Sequence, residues 1–547
     1  MKSNRRTFIK SAAILGGLGT ARISRAAATD RSNPTTAAGL GRDTAQWQRH
    51  VDTGFYPAQT HLLLDDFYVK EPRGLKVQPN PPRDLTPERP LLRAERDWEG
   101  AGFPHRCTPL LYDHTEKLFK FWCPCEDHRI PPGPAKVQRR WAYAISRDGV
   151  NWERPNLGLV EFAGSKANNI IRFENIDKAT ALLQNVVRDD REPDPRRRFK
   201  SIGLDRHDVR PGEITWTGPG GPDKEDEEFL SKIGCGLFVG YSPDGLRWTL
   251  KEGWCASGAL IADGSVLHGF DPRINKWVMW QRPRLMPKYR SYGMSVSDDF
   301  ENWTFPVDAL AADELDPPGM QIDSLVTAQA PDGGYVGLAA FNGYEGKGFS
   351  PIGNLPQLVF SRDGRQWTRV DRQPYMVSTP GSWNWASMTP LTPVVVGDEM
   401  FLYYYGKNGK YWGDPLPDGK GVVTAALGLA KLPRDRWASR MPVYQSGEFT
   451  TRLVTFMRPE LQVNIDARGG ACRVELLEYQ SRKAIPGYTL ADCDPITDDA
   501  LARQVSWKGR SDLTEVIGSA RRQPRFGRAL MIRFHLEHGA RLYSFSC

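Results

Sequence analysis

The chain has 547 residues, 40% hydrophobic and 25% charged, which suits a folded protein and excludes wholesale disorder. Its 73 Lys plus Arg exceed its 65 Asp plus Glu, and the net charge of +8 invites a nucleic-acid or membrane partner. Six of those cations (Lys2, Arg5, Arg6, Lys10, Arg22, Arg25) lie with no acid inside Met1–Ala28, so the rest of the chain sets 67 bases against 65 acids and the invitation lapses.

That first segment places Arg5-Arg6 before a short apolar stretch, Ser11 to Ala21, and small residues at Ala26-Ala27-Ala28. The pattern resembles a twin-arginine export signal, read by a transport receptor and absent from the fold. The stretch holds three glycines and is too short to span a bilayer. The expected location is the periplasm or beyond, with no membrane span. Export permits disulfides, and Cys472 with Cys493 is a candidate pair. Cys123-Pro124-Cys125 is one residue short of a CxxC site, so those thiols read as buried or bridged residues.

Further along, one pattern recurs: Ser146-Arg147-Asp148-Gly149-Val150-Asn151-Trp152, Ser242-Pro243-Asp244-Gly245-Leu246-Arg247-Trp248, Ser297-Asp298-Asp299-Phe300-Glu301-Asn302-Trp303 and Ser361-Arg362-Asp363-Gly364-Arg365-Gln366-Trp367. Asp-Gly makes a tight turn, because glycine tolerates positive φ and aspartate bonds back to the backbone. A strand precedes each turn and the tryptophan after it opens an edge strand, so the motif is structural punctuation. Two further strands precede each hairpin: 108–112 and 118–123, 179–187 and 199–203, 265–269 and 276–281, 324–328 and 335–341. A fifth unit lacks the turn and uses 389–396, 400–405 and 422–430. Five four-stranded units predict an all-β fold, a five-bladed β-propeller, with Leu62 to Val69 offered as the strand that closes the ring. From about Gly447 the repeat stops, and alternating runs such as Leu461 to Ile465 and Leu542 to Phe545 predict a small C-terminal β-sandwich. The reading therefore divides the chain into a signal peptide (1–28), an N-terminal extension (29–58), the propeller (59–440) and the sandwich (441–547). Arg521, Arg522 and Arg525 read as a solvated face.

Several segments carry a resemblance to a known family: Leu62-Leu63-Leu64-Asp65-Asp66-Phe67-Tyr68, Trp98-Glu99, Tyr143 to Gly149, Trp152-Glu153-Arg154-Pro155, Gly158-Leu159-Val160-Glu161, Gly164-Ser165 with Asn168-Asn169, and, near the end, Val463-Asn464, Gly487-Tyr488, Cys493 and Leu542-Tyr543-Ser544-Phe545. Together they resemble the exported glycoside hydrolase family 32-like proteins, allied to family 43, over nearly all of the chain after the leader. The resemblance implies a five-bladed propeller with a terminal sandwich, and action on carbohydrate. The family's Asn-Asp-Pro, Arg-Asp-Pro and Glu-Cys motifs are not intact here, so cleavage of sucrose or fructan is not expected. Only Asp263 matches the Arg-Asp-Pro segment, in Asp263-Gly264-Ser265-Val266-Leu267.

Glycoside hydrolysis commonly uses two carboxylates that face the scissile bond. In a propeller the heads of the innermost strands converge on the axis, which selects Asp66, Glu99, Asp263 and Asp323 as catalytic candidates. Asp263 and Asp323 open equivalent units; both also suit caps of strand-entry turns. Arg282, Arg284 and Arg290 cluster in the third unit, where guanidiniums suit carboxylate or sulfate groups or pair with nearby acids. Trp383 and Trp385 offer a sugar-stacking platform or core packing. His105, His128 and His268 lack metal spacing, and no phosphate loop, nucleotide fingerprint or nucleophile elbow occurs, so neither metal nor cofactor is expected. The expected partner is an oligo- or polysaccharide, anionic ones included, with no role for nucleic acid. The reading is a glycoside hydrolase; a non-catalytic glycan-binding propeller and a polysaccharide lyase stay open.

Overall fold

The computed structural model of the protein describes residues 60–99, 109–126, 139–175, 182–206, 235–251, 265–282, 290–304, 306–345, 348–349, 354–385, 387–407, 425–519 and 529–547. The leader, Asp263, Arg284, His105, His128 and the Arg521, Arg522 and Arg525 face lie outside the described residues.

Among those residues the fold is all-β apart from short helical turns. Five sheets follow one another in the chain, and each begins with a strand that contacts its counterpart in the next sheet. These inner strands are Leu110–Asp113, Leu182–Arg188, Val266–Asp271, Met320–Gln329 and Ser387–Pro390. Val394–Val396, which continues the last, returns to contact Leu110–Asp113 and closes the circle. Each sheet has neighbours on both faces, so its second strand must be apolar on both. Lys276–Gln281 (KWVMWQ) and Glu399–Lys407 (EMFLYYYGK) are buried almost throughout.

The repeated turns lock this ring. Asp148 Oδ1 accepts from the backbone N–H of Val150 and Asn151 at 2.9 and 2.7 Å, and Asp244 and Asp363 repeat the pattern. Gly149, Gly245 and Gly364 take φ of 76, 78 and 73°, while Phe300 adopts 70° in the third turn. The missing Cβ also matters for space. A Cβ on Gly245 would stand 2.8 Å from Trp122 of the preceding sheet, and one on Gly364 would stand 2.9 Å from Trp280 of its own predecessor. At the seam, Gly149 of the first sheet abuts Phe401 and Tyr403 of the fifth. Trp122 Nε1 donates to Gly245 O at 2.6 Å, and Tyr403 Oη donates to Gly149 O at 2.7 Å.

Two further sheets share one core, with Phe449 and Phe534 from one and Val463 and Phe545 from the other. Their strands come from both sides of the ring in the sequence. Thr60–Leu62 pairs with Arg541–Ser546, and Val69–Arg73 pairs with Ser446–Thr451. The segment from Leu62 to Val69 therefore does not close the ring. The strand Arg83–Asp84 does so, pairing with Ala426–Pro433 of the fifth sheet. The units also differ from four equal strands. The first sheet has three strands and the second five, because Arg172–Phe173 leaves its own unit and pairs in parallel with Arg247–Leu250. The run between Glu153 and Ile171, interrupted by Pro155, Gly158 and Gly164, has only isolated bridges to the first sheet.

Cys472 and Cys493 are free thiols, not a bridge; both are packed as small apolar residues in the core shared by the two sheets. Val474 N–H donates to Cys493 Sγ at 3.2 Å, and burial pushes that thiol up to about 11. No helix among the described residues is long and apolar enough to cross a membrane.

Two predictions follow from this packing. Gly164 has φ 81° with open space around it, so Gly164→Ala carries only the backbone strain, about 1 kcal/mol. Gly245→Ala adds the clash with Trp122 and should cost roughly 1–3 kcal/mol more, read as the difference in urea midpoints. Asp435 has φ 64°, and burial pushes its carboxyl from 3.8 up to about 6, opposed by Arg434 and reinforced by Asp332. The folded state thus favours the neutral acid, and its contribution to stability is complete below 3.8 and lost as pH rises through about 6. Asp435→Asn, which tolerates that φ, should stabilise the protein by up to about 3 kcal/mol near pH 7 and by nothing near pH 3 in the same denaturation assay.

Candidate functional site

Asp323 sits near the head of the fourth inner strand, where the register slips: Ile322 faces Phe341 and Ser324 faces Ala340, leaving Asp323 as the extra residue. A bulge of this kind turns a side chain out of the regular alternation. Here it turns the carboxylate toward groups from three sheets. Arg282, just beyond Lys276–Gln281, and Arg290, just before Tyr292–Ser297, both reach Oδ1, at 3.0 and 2.9 Å. Arg282 also donates to the Asp323 carbonyl, as does Tyr292 Oη at 2.8 Å. Antiparallel pairing explains the convergence. The end of one strand and the start of its partner in the third sheet lie at the same edge, beside the head of the next inner strand.

The other oxygen, Oδ2, accepts from Asn354 Nδ2 at 2.7 Å. The same amide nitrogen reaches Thr389 Oγ1 on the fifth inner strand at 3.1 Å, and Asn354 Oδ1 accepts from Asn342 Nδ2 at 3.0 Å. Asp323, Asn342, Asn354 and Thr389 are all buried. Arg282 is buried too, whereas the Arg290 side chain keeps 17% of its exposure. Charge-assisted bonds to two guanidiniums hold the carboxylate in one orientation and make it an acceptor at both oxygens. The cluster therefore offers an oriented acid, a partly exposed cation and a buried amide relay.

The remaining candidates separate by placement. Glu99 is fully buried and its acceptor capacity is committed. Oε2 takes the backbone N–H of Glu95 and Arg96 at 2.8 and 3.0 Å, and Oε1 takes Arg154 Nε at 2.7 Å. This clamp packs against the second and third strands of the first sheet, and its polar partners are distinct from those of Asp323. Asp66 is corrected more sharply. It lies between two strands of the paired sheets, outside the ring, with its side chain 78% exposed and 2.9 Å from Arg440. The two tryptophans also divide. Trp383 is fixed, with Nε1 donating to Thr86 O at 2.6 Å and its ring stacked on Tyr404. Trp385 is half-buried in the turn that leads into Ser387–Pro390. His268 is bound to Thr327 Oγ1 at 2.7 Å and to Gln329. Tyr292, Asn342, Asn354 and Thr389 had no signal in the sequence, since each gains its role only through residues distant in the chain.

No family model matches the chain. It is 31% identical over 192 residues to "Uncharacterized protein Rv1502" of Mycobacterium tuberculosis and equally to its counterpart MT1551 in another strain. That stretch is 34% of this chain, which spans 61% of the length of those curated relatives. Similar solved structures include an N-acetylgalactosamine deacetylase from F. plautii (14% identity, 65% of this chain and 96% of that one, TM-score 0.40). Another is a GH130-family structure (12%, 66% and 95%, TM-score 0.40). A third is a fructofuranosidase from Schwanniomyces occidentalis complexed with fructosylnystose (13%, 84% and 98%, TM-score 0.38). All three likenesses are distant, and no residue role assigned here rests on them.

The clamp geometry of Glu99 gives a direct expectation. Glu99→Gln puts an amide against two backbone donors and leaves Arg154, with 13% side-chain exposure, without its main counter-charge. It should lower stability by roughly 3–5 kcal/mol, read by denaturant midpoint. Folded Glu99→Gln protein should keep wild-type glycan affinity in a titration at low temperature.

Proposed function

We propose that the protein is an exported glycoside hydrolase of the family 32-like kind, a five-bladed propeller with a terminal sandwich, acting on a complex glycan in the ring's central site. Asp323 supplies one carboxylate of a pair, with Asp263 as its partner. Arg290 and Trp385 bind the sugar, and the partly exposed guanidinium extends the substrate range to uronate-containing or sulfated glycans. The observation that carries this reading is the bulged, buried Asp323, turned at the head of an inner strand into a cluster drawn from three sheets. The alternative of a non-catalytic glycan-binding propeller has its own support. Both Asp323 oxygens are already engaged, which suits an orienting acid better than a nucleophile. Elimination by a lyase is the third possibility, and the single acid beside two arginines in the described cluster supports it as it does binding.

A reducing-end release screen over uronate-containing and sulfated glycans tests the reading, run with wild type, Asp323→Asn and Asp263→Asn. Loss of turnover by about a hundredfold or more in both variants is expected for an acid/base or nucleophile pair. Undiminished turnover in both sinks the pair, and glycan binding without turnover in the wild type selects the binding protein. Export is read in the same strains by fractionation. Replacing Arg5 and Arg6 by lysine should retain the protein inside the cell, and unchanged export would remove the twin-arginine assignment.

A further inference from the structure

Trp383 and Trp385 stand two residues apart in one loop, and the residue between them holds that loop in place. Thr379-Pro380-Gly381-Ser382 makes a turn of type II. Ser382 N–H donates to Thr379 O at 3.0 Å, and Gly381 takes the φ of 86° that its position in the turn requires. Ser382 Oγ then donates to Asn384 Oδ1 at 2.7 Å, and Ser378 Oγ donates to Asn384 O at 3.1 Å. The Asn384 side chain is fully buried. Gly406, on the second strand of the fifth sheet, admits it, since a Cβ there would stand 2.6 Å from Asn384 Cβ.

The other half of the knot comes from 300 residues earlier. Asp84, on the strand that completes the fifth sheet, accepts from Asn384 Nδ2 at Oδ2 (3.1 Å) and from Tyr404 Oη at Oδ1 (3.0 Å). Asn384 Nδ2 also donates to Tyr404 Oη at 2.7 Å. A carboxylate only accepts, so the Asn384 N–H₂ must face Asp84 and its oxygen must face Ser382. Trp385 lies outside this knot. Its half-buried side chain makes no hydrogen bond or ring contact with the described residues, and its indole N–H is open to solvent. The loop then enters Ser387–Pro390, whose Thr389 shares the Asn354 amide with Asp323.

We infer that Asn384 and Asp84 are positioning residues that hold Trp385 ready for the sugar, so that sealing the fifth sheet also sets the affinity for glycan. This rests on the glycan reading of the site and adds what fixes its aromatic surface. A ring fixed before the sugar arrives loses little rotamer freedom on binding, and its N–H offers a donor to a sugar oxygen.

Calorimetric titration of the full chain with methyl β-D-glucuronide and methyl β-D-galactoside provides the test, beside fluorine NMR spectra of fluorotryptophan-labelled protein. The Trp385 resonance is the one missing from Trp385→Phe. Asn384→Asp sets a second carboxylate against Asp84 and should weaken binding about tenfold and move that resonance. In a Trp385→Ala background the same substitution should cost nothing further, the mark of action through the ring. Adding Asp84→Asn to Asn384→Asp exchanges donor and acceptor across the same bond and should restore affinity and resonance together. Gly245→Ala, destabilised in the second turn, should leave both at their wild-type values. Unchanged affinity in Asn384→Asp, losses that add in the Trp385→Ala background, or no recovery in the exchanged pair would overturn the assignment. Should Asn384→Asp not fold, Ser382→Ala removes the hydroxyl on the amide oxygen and should give the same pattern at about threefold. If neither glycoside binds wild type, the glycan reading loses its support and the spectra decide the positioning alone. A Trp385 resonance that moves in Asn384→Asp and returns in the exchanged pair upholds it; one that stays in place refutes it.

Discussion

Everything in the ring depends on a contact that glycine permits. At Gly149, Gly245 and Gly364 the turn of one sheet presses its backbone on an aromatic or sulfur-bearing side chain of the sheet before it. The aspartate of each turn satisfies the backbone donors locally, and the tryptophan after it is buried or half-buried among the sheets. One local motif thus does two jobs, reversing the chain and setting the spacing between sheets. The first turn performs the second job on Phe401 and Tyr403, residues of the last sheet, so it joins the two ends of the ring.

Ring closure in turn places the candidate site. With the third, fourth and fifth inner strands held side by side, the edges carrying Arg282 and Arg290, Asp323, and Thr389 are brought to one place. A bulge then exempts Asp323 from the in-out alternation of its strand. Buried charge here is tolerated because it is shared. Two guanidiniums, a phenol and an amide divide the carboxyl group and its backbone carbonyl among them. Glu99, a second buried acid among the candidates, is satisfied just as fully but by its own loop and Arg154, which makes it an internal brace of the first sheet.

The sequence shows the parts of this fold whose causes are local. The Asp-Gly turns and their preceding strands need only a few neighbouring residues to take shape, and both are legible. Strand pairing is a different matter. Leu62 to Val69 has the right composition for a ring strand, but its partners are residues 446–451 and 541–546, and no alternation pattern encodes which distant edge a strand will meet. The same limit governs the site. Asp323 is legible as an acid at the head of a strand. Asn354 and Asn342 are not, because their roles arise from bonds between side chains 12 and 31 residues apart in the chain. Trp383 and Trp385 look alike in sequence and differ only in that a carbonyl of Thr86, nearly three hundred residues earlier, captures one of them.

The strand Arg83–Asp84 carries a consequence for how the protein is made. It completes the fifth sheet, while Thr60–Leu62 waits for a partner in the last seven residues of the chain, 486 positions from Thr60 to Ser546. The ring cannot be sealed until synthesis has passed residue 433, and the paired sheets cannot be finished until it has passed residue 546. Such high contact order makes assembly slow and leaves unpaired edges exposed while the chain is growing. Thr60–Leu62 therefore remains without its partner until residues 544–546 have been made, and the chain folds as a belt buckled twice. Its unit of folding runs from Thr60 to Ser546.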